Sequence, residues 1–228
     1  MNKSVLSVVG IEKYYKQDSV RQQVLNGISI EFNQGESYAL TGVSGSGKST
    51  FLHILGGIDT PTAGEVFFDG QNINKYSNRK KESFLNQHVG FVFQFHYLIN
   101  ELTVIENLLL IGQIGGISAE KSKKRALELL IYIGLEDLSS KYPFELSGGE
   151  LQRISVLRAL FNKPKFILAD EPTGNLDQQN VERIMDLFLQ SQKEWGLGLI
   201  ICSHDRDVYK KMETVLKLQN GLLDLAKV

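Results

Sequence analysis

Gly42-Val43-Ser44-Gly45-Ser46-Gly47-Lys48-Ser49-Thr50 is the stretch that decides the fold. It has the form G-x-x-x-x-G-K-S and sits between two different patterns. Upstream, Ser37-Tyr38-Ala39-Leu40 reads as a short strand; downstream, Phe51-Leu52-His53-Ile54-Leu55 reads as the start of a buried helix. Strand, glycine-rich loop and helix in that order are what a phosphate-cradling loop requires. Glycines let the backbone turn tightly and bring its N–H groups near an anion, while the helix N-terminus adds unsatisfied donors and a positive dipole end. Lys48 would reach the β- and γ-phosphates of a nucleotide, and Ser49 would hold Mg²⁺. The loop alone leaves open what hydrolysis of that nucleotide drives.

Working outward, residues 5–32 read as β-rich, with a near-alternating Ile28-Ser29-Ile30-Glu31-Phe32. Tyr14 and Tyr15 precede a polar stretch that runs from Lys16 to Asp18, and Asn33-Gln34-Gly35 turns the chain toward the loop strand. Beyond the loop helix, Gly56-Gly57 stops it, Glu65-Val66-Phe67-Phe68 forms a strand and Asp69-Gly70 a hairpin turn. Asn78-Arg79-Lys80-Lys81 reads as a solvated helix face. Val89-Gly90-Phe91-Val92-Phe93 is a buried strand with Gln94 directly after it.

From residue 102 to 162 the character becomes helical. Ser118 caps a helix that ends before Gly134, with Ala126, Leu127, Leu130 and Ile131 on one face. Ser147 and Glu150 form an S-x-x-E capping box at the head of a helix carrying Leu151, Ile154 and Leu157. Capping does not account for Gly148-Gly149, which cost helix stability but admit a close ligand. This is a second helix N-terminus suited to an anion, with no lysine of its own. Phe166-Ile167-Leu168-Ala169, ending in Asp170-Glu171, reads as a central parallel strand. A helix over 179–195 and a buried strand over 199–202 come next, then Ser203-His204-Asp205, and a terminal hairpin folded at Asn220-Gly221. The expected architecture is α/β: one domain, 1–228, in which residues 1–94 and 163–228 form the core with an N-terminal antiparallel β-subdomain. Residues 95–162 form an inserted helical subdomain.

Composition narrows the class. The 228 residues suffice for a substantial core, and 42% hydrophobic with 22% charged content is ordinary for a globular protein. A formal net charge of −1 gives no global attraction to nucleic acid or an anionic membrane. The lone cysteine, Cys202, lies in an apolar run and reads as a buried, inert thiol in a reducing compartment. The start, Met1-Asn2-Lys3-Ser4, lacks the apolar run of a signal peptide. No apolar stretch is long enough to span a bilayer; the most apolar, 104–117, carries Glu106, Asn107 and Gln113. Any membrane role is expected to come through a partner.

The strands that read as parallel end in turn with the loop, Gln94, Asp170-Glu171 and His204. In open α/β sheets ligands sit at the carboxyl ends of strands, so these features are expected at one edge. Mg²⁺ prefers hard oxygen ligands: Ser49 and Gln94 can bind it directly, and Asp170 directly or through water. Neighbours at a strand end point opposite ways, so with Asp170 facing the metal, Glu171 faces a water behind the γ-phosphorus and acts as general base. His204 would bond the γ-phosphate and Glu171. Ser147-Gly148-Gly149 then has no nucleotide of its own, and the economical arrangement is a head-to-tail dimer in which it caps the γ-phosphate on the other protomer's loop.

This set resembles the ATP-binding cassette (ABC) ATPases essentially end to end. Gly42 to Ser49 matches the Walker A loop of the P-loop NTPase fold, with Thr50 beside it. Gln94 matches the Q-loop, Leu146-Ser147-Gly148-Gly149-Glu150 the signature, and the strand ending at Asp170 Walker B. Glu171 matches the catalytic glutamate, Asn175-Leu176-Asp177 the D-loop and His204 the switch histidine. The resemblance implies ATP and Mg²⁺ as cofactors. It also implies that Tyr15, with Tyr14 as second choice, stacks on adenine.

Leu55-Gly56-Gly57-Ile58-Asp59-Thr60-Pro61-Thr62 and the run from Ala169 to Asp177 are similar to the group serving lipoprotein release, macrolide export and cell division. Gln94-Phe95-His96-Tyr97-Leu98-Ile99, followed by Leu102-Thr103-Val104-Ile105-Glu106-Asn107, is most similar to the ATPase of the lipoprotein-releasing exporter. Asn100 departs from that pattern, where proline is expected, as does Leu151, where Arg or Gln is commoner. The implied setting is a homodimer on the cytoplasmic face of a bacterial inner membrane, bound to two transmembrane subunits, touching lipoprotein cargo only indirectly and no nucleic acid. A chromosome-maintenance ATPase would need a long coiled coil between Walker A and the signature, which the short spacer lacks. Asn162-Lys163-Pro164-Lys165 is superficially similar to a guanine-reading motif but lacks its aspartate.

Overall fold

A computed structural model describes residues 3–17 and 20–226; Asp18, in the polar stretch after Tyr15, lies outside the described residues. The N-terminal region forms two long antiparallel strands, β1 (Val5–Gln17) and β2 (Val20–Asn33). After β3 (Ser37–Thr41) and α1 (Lys48–Leu55), β4 (Ala63–Phe68) returns beside β1 and turns through Asp69-Gly70 into β5 (Gln71–Asn72). The result is a four-stranded antiparallel sheet in the order β2-β1-β4-β5. Helix α2 (Asn78–Gln87) buries only Phe84 and leaves Asn78, Arg79 and Lys80 exposed, a solvated basic face.

The second sheet has six strands in the order β10-β9-β3-β8-β7-β6. Strands β6 (Val89–Val92), β7 (Phe166–Asp170), β8 (Gly198–Cys202), β3 and β9 (Thr214–Gln219) run parallel. Strand β10 (Leu222–Leu225) folds back antiparallel at one edge through Asn220-Gly221. Every residue of β7 is buried because the strand is covered on both faces. Phe166 and Leu168 pack toward α1 and the antiparallel sheet, together with Phe51, Leu52, Leu55 and Phe32. Ile167 and Ala169 pack the other way against α6 (Gln178–Trp195), through Ile184, Met185 and Phe188.

Between β6 and β7 lie α3 (Val104–Ile114), α4 (Ala119–Tyr132) and α5 (Gly148–Leu160), whose apolar stripes close a core of their own around Leu108, Leu129, Leu130, Ile154, Leu157 and Phe161. Helix α5 serves two cores: Val156 and Leu160 face α6, while Ile154 and Leu157 face α3 and α4. The short helix α7 (Arg206–Tyr209) comes after β8. Among the described residues no helix is long and apolar enough to cross a membrane.

Register places the site. Leu40 of β3 pairs with Cys202 of β8, Cys202 with Asp170 of β7, and Ala169 with Val92 of β6. The strands therefore end level, and the segments leaving them emerge along one edge of the sheet.

Candidate active site

In the loop between β3 and α1, packing fixes Gly42 and Gly47, while Gly45, with φ +76° and nothing within 4 Å of a Cβ, is required only by its backbone conformation. Gly42 has φ +154°, and a side chain there would put Cβ 2.5 Å from the Leu218 carbonyl oxygen and 2.7 Å from Ser46 Oγ. Gly47 has φ +102°, with Val24 Cγ1 only 2.7 Å from where Cβ would sit. As N-cap of α1, Gly47 offers no side-chain acceptor, so the first-turn N–H groups of the helix stay available to an anion. Ser46 Oγ is buried without a hydrogen-bond partner among the described residues.

Lys48 is 7% exposed; its Nζ donates to the carbonyls of Gly42 (3.0 Å) and Val43 (3.3 Å) and lies 3.7 Å from Glu171 Oε1. The ammonium thus bends back over the loop, at the centre of the cradle. Ser49 Oγ, one residue on, donates to Asp170 Oδ1 at 3.0 Å. Burial holds the Asp170 carboxyl above its usual range, against opposing pulls from the Ser49 hydroxyl, His53 and Lys48. A buried carboxylate with this residual cost beside a hydroxyl is a good partner for a hard divalent cation. Gln94 lines the same cavity as Ser49. Among the described residues no three His, Cys, Asp or Glu side chains cluster as a metal cage. The Ser49 hydroxyl and the Asp170 carboxylate are hard oxygen donors of the kind Mg²⁺ takes, and the ion would complete its shell with phosphate oxygens and water.

Glu171 comes directly after Asp170 but does not continue the strand. Its φ is +46°, uncommon for a residue with a side chain, and its N–H donates to the Cys202 carbonyl at 3.0 Å. Such a conformation costs about 1–3 kcal/mol and survives where the surroundings fix it. It turns Glu171 away from the Ser49–Asp170 pair and toward Lys48 and His204, whose Nδ1 lies 3.0 Å from Glu171 Oε2. The expected divergence of the two carboxylates is therefore present, but a left-handed backbone step produces it rather than strand alternation. Gly42, Lys48, Ser49, Gln94, Glu171 and His204 share one open cavity of about 530 Å³, with Val43, Ser44, Gly45, Gly47 and Thr50 completing its loop side. A second cavity of about 480 Å³ runs along the other flank of the loop past Gln23, Lys217 and Asn220. Val24 lines both cavities; as one apolar position in a long strand it carried no sequence signal. Cys202 is fully buried beneath this edge, and burial pushes its thiol well above the usual range, as an inert thiol requires.

Several of the expected residues lie elsewhere. Ser147, Gly148 and Gly149 form the N-terminus of α5 and line neither cavity. The capping box there is complete: Ser147 N and Oγ donate to Glu150 Oε2 at 2.8 and 2.6 Å, which holds the Glu150 carboxyl below its usual range. A Cβ on Gly149 would collide with the side-chain amide of Asn180, so packing within the chain is by itself enough to require glycine here. Gly148 meets nothing within 4 Å and is the one left open to an approaching group. Asp177 caps α6, accepting from Asn180 N (2.8 Å) and Nδ2 (2.9 Å), so Asp177, Asn180 and Gly149 form one contact chain that no spacing rule would have revealed. Tyr15 also lies outside both cavities: its ring sits under the Lys13 ammonium at 5.1 Å and its hydroxyl donates to Asp59 Oδ2 at 3.3 Å.

The loop after Gln94 is tied to α5. Buried Gln152 donates to the Phe93 carbonyl at 3.2 Å, and Arg158 donates to the carbonyls of His96 and Tyr97. Asn107 of α3 holds the next turn through the carbonyls of Ile99, Leu102 and Thr103.

Residues 25–174 match the family described as ABC transporter. Two solved structures of MJ0796 are similar over nearly the whole chain. One is a dimeric post-hydrolysis state of that ATP-binding cassette bound to ADP and Pi: 34% identical, TM-score 0.89, covering 98% of this chain and 99% of the other. The second, a dimer of MJ0796 described as a bacterial ABC transporter cassette, is 35% identical with the same TM-score and coverage. With the glycine loop, the level strand ends and these matches together, the chain belongs to the ABC transporter family and is its ATP-hydrolysing cassette, with the P-loop NTPase fold.

Proposed function

We propose that this chain is the motor subunit of a lipoprotein-releasing exporter, hydrolysing ATP at two sites shared across a head-to-tail homodimer. Its cofactors are ATP and Mg²⁺. The observation that carries the shared-site reading is the separation of the two anion-binding ends. Walker A, Gln94, Glu171 and His204 line one cavity, while Ser147 and the open Gly148 lie outside it. One chain thus holds the phosphates, and a second must supply the signature end; the MJ0796 cassette is itself dimeric.

In this reading Lys48 and the loop N–H groups bind the phosphates, while Ser49, Gln94 and Asp170 would hold Mg²⁺, which would supply positive charge against the developing charge of the transferred phosphoryl group. Glu171 takes the proton of the attacking water, and His204 orients Glu171 and bonds the γ-phosphate. Asp177 reaches the dimer interface, and Tyr15 turns to adenine on nucleotide binding, leaving its contact with Asp59. Residues 95–162 act as a helical subdomain that carries the signature, the remainder of 1–228 as the core. Because Gln152 of α5 holds the Phe93 carbonyl and Arg158 holds those of His96 and Tyr97, α5 grips the chain on both sides of Gln94, and movement of α5 displaces Gln94. Phe95 and Tyr97 are 60% and 62% exposed on this loop and, with Ile99, form the surface offered to a transmembrane subunit.

The lipoprotein assignment rests on the stretches from Leu55 to Thr62, Gln94 to Ile99 and Ala169 to Asp177. It places the dimer on the cytoplasmic face of the inner membrane. Co-purification from detergent extracts tests it: two transmembrane subunits whose reconstituted complex releases lipoprotein from vesicles on ATP addition are expected. Recovery of a macrolide exporter or a cell-division membrane protein instead would replace the cargo assignment while keeping the motor.

A further inference from the structure

His53 joins two features that the proposed chemistry leaves separate. It lies one helical turn after Ser49 on α1, so the two side chains share a face. Ser49 Oγ takes Asp170 Oδ1 at 3.0 Å; His53 Nε2 faces the other oxygen, Oδ2, at 3.9 Å. That nitrogen is buried and has no hydrogen-bond partner among the described residues, an arrangement that costs stability unless another state satisfies it. The ring is packed among aromatics, with centroids 5.4 Å from Phe91 and 6.1 Å from Phe93, and these two rings stack at 4.5 Å. His53, Phe91 and Phe93 also line an apolar groove of about 580 Å³ with Tyr97, Ile99 and Ile111. One side of the imidazole therefore faces the groove and the other faces the carboxylate.

We propose that His53 is a positioning residue: its Nε2–H holds the free oxygen of Asp170, and its ring transmits the packing of the groove to that carboxylate. A movement of about 1 Å brings the pair into hydrogen-bond range. Outer partners of this kind orient a metal-binding carboxylate and are worth about 10–100-fold in metal affinity. The inference rests on the reading of Asp170 as a Mg²⁺ partner, and its test separates the two.

The affinity of Mn²⁺ for the full-length protein saturated with AMP-PNP is measured calorimetrically, alongside AMP-PNP affinity in EDTA. His53→Phe keeps the aromatic packing and removes the nitrogen. It is expected to weaken Mn²⁺ about tenfold while leaving metal-free nucleotide affinity unchanged. His53→Gln, which returns an N–H near the Nε2 position, is expected to restore most of it. Phe93→Leu should weaken Mn²⁺ in the parent chain and have no further effect beside His53→Phe. If Asp170→Asn weakens Mn²⁺ but His53→Phe does not, the positioning role is overturned while the metal reading stands. If Asp170→Asn leaves Mn²⁺ unaffected, the metal reading falls and this role with it. Additive effects of His53→Phe and Phe93→Leu would overturn the link to the groove.

Discussion

His204 Nδ1 lies 3.0 and 3.1 Å from the two carboxylate oxygens of Glu171, while Lys48 Nζ lies 3.7 Å from one of them. Glu171 is thus held between two residues that also face the phosphate cavity, and its left-handed backbone keeps it off the Ser49–Asp170 pair. Glu171→Gln preserves size and a partner for His204 but cannot accept a proton. ATP turnover is expected to fall at least about 100-fold, with ATP binding retained and the ATP-bound dimer accumulating on size exclusion. Normal turnover in this variant would remove Glu171 as the base.

A site divided between two chains can be rebuilt from two defective ones. Lys48→Ala disables the phosphate cradle, and Ser147→Arg obstructs the signature end without touching the cavity around Lys48. Each variant alone is expected to be inactive as a homodimer. In a mixture, the heterodimer has one intact site, made from Lys48 of one protomer and Ser147 of the other, and turnover should reappear. Mixed dimers that form but stay fully inactive would show that the sites are not shared, or that both must fire together.

The sheet edge was legible because its signals are backbone signals. Apolar runs such as Phe166-Ile167-Leu168-Ala169 mark buried parallel strands, and the next residues along the chain necessarily emerge at the strand's carboxyl end. The capping box at Ser147 and the turns at Asp69-Gly70 and Asn220-Gly221 are likewise local, and all three formed as expected. Features hidden from the sequence depend on approach between distant segments. Gly149 read as space for a ligand, but Asn180, 31 residues away, occupies that space. Glu171 read as a strand residue, but its φ is +46°, and the bond that its N–H makes to the Cys202 carbonyl joins segments 31 residues apart. The contacts of Tyr15 with Lys13 and Asp59 likewise carried no sequence signal, since Asp59 lies 44 residues along the chain.

Asp170 gives a stability prediction whose sign comes from its environment. Burial raises its carboxyl pKa, so the folded chain holds that proton more tightly than the unfolded chain does. The stabilising contribution belongs to the protonated form: it is fully present below the unfolded pKa and lost as pH rises through the folded one. At neutral pH without metal the carboxylate is a net cost. Asp170→Asn keeps an acceptor for Ser49 and removes that cost. The melting temperature of the nucleotide-free variant in EDTA should exceed that of the parent at pH 7, and the difference should shrink as pH falls through the acid range. The same variant should lose Mg²⁺-dependent hydrolysis. A lower melting temperature at pH 7 would mean that attraction to Lys48 and His53 outweighs burial.

Gly148 and Gly149 are adjacent and chemically identical, yet their surroundings assign them opposite behaviour. A Cβ on Gly149 meets the Asn180 side chain, which Asp177 holds in place, so relief requires displacing the start of α6. Gly149→Ala should destabilise the monomer by about 1–3 kcal/mol, the usual cost of overpacking. Shortening the obstacle with Asn180→Ala should recover part of that loss. A Cβ on Gly148 meets nothing within the chain, and in a first helical turn alanine is no worse than glycine. Gly148→Ala should therefore leave unfolding by urea unchanged or slightly harder, while cutting ATP turnover by obstructing the group that approaches the α5 N-terminus in the dimer. Full activity in Gly148→Ala would show that nothing packs against that face, and the signature end would then have no role in the site.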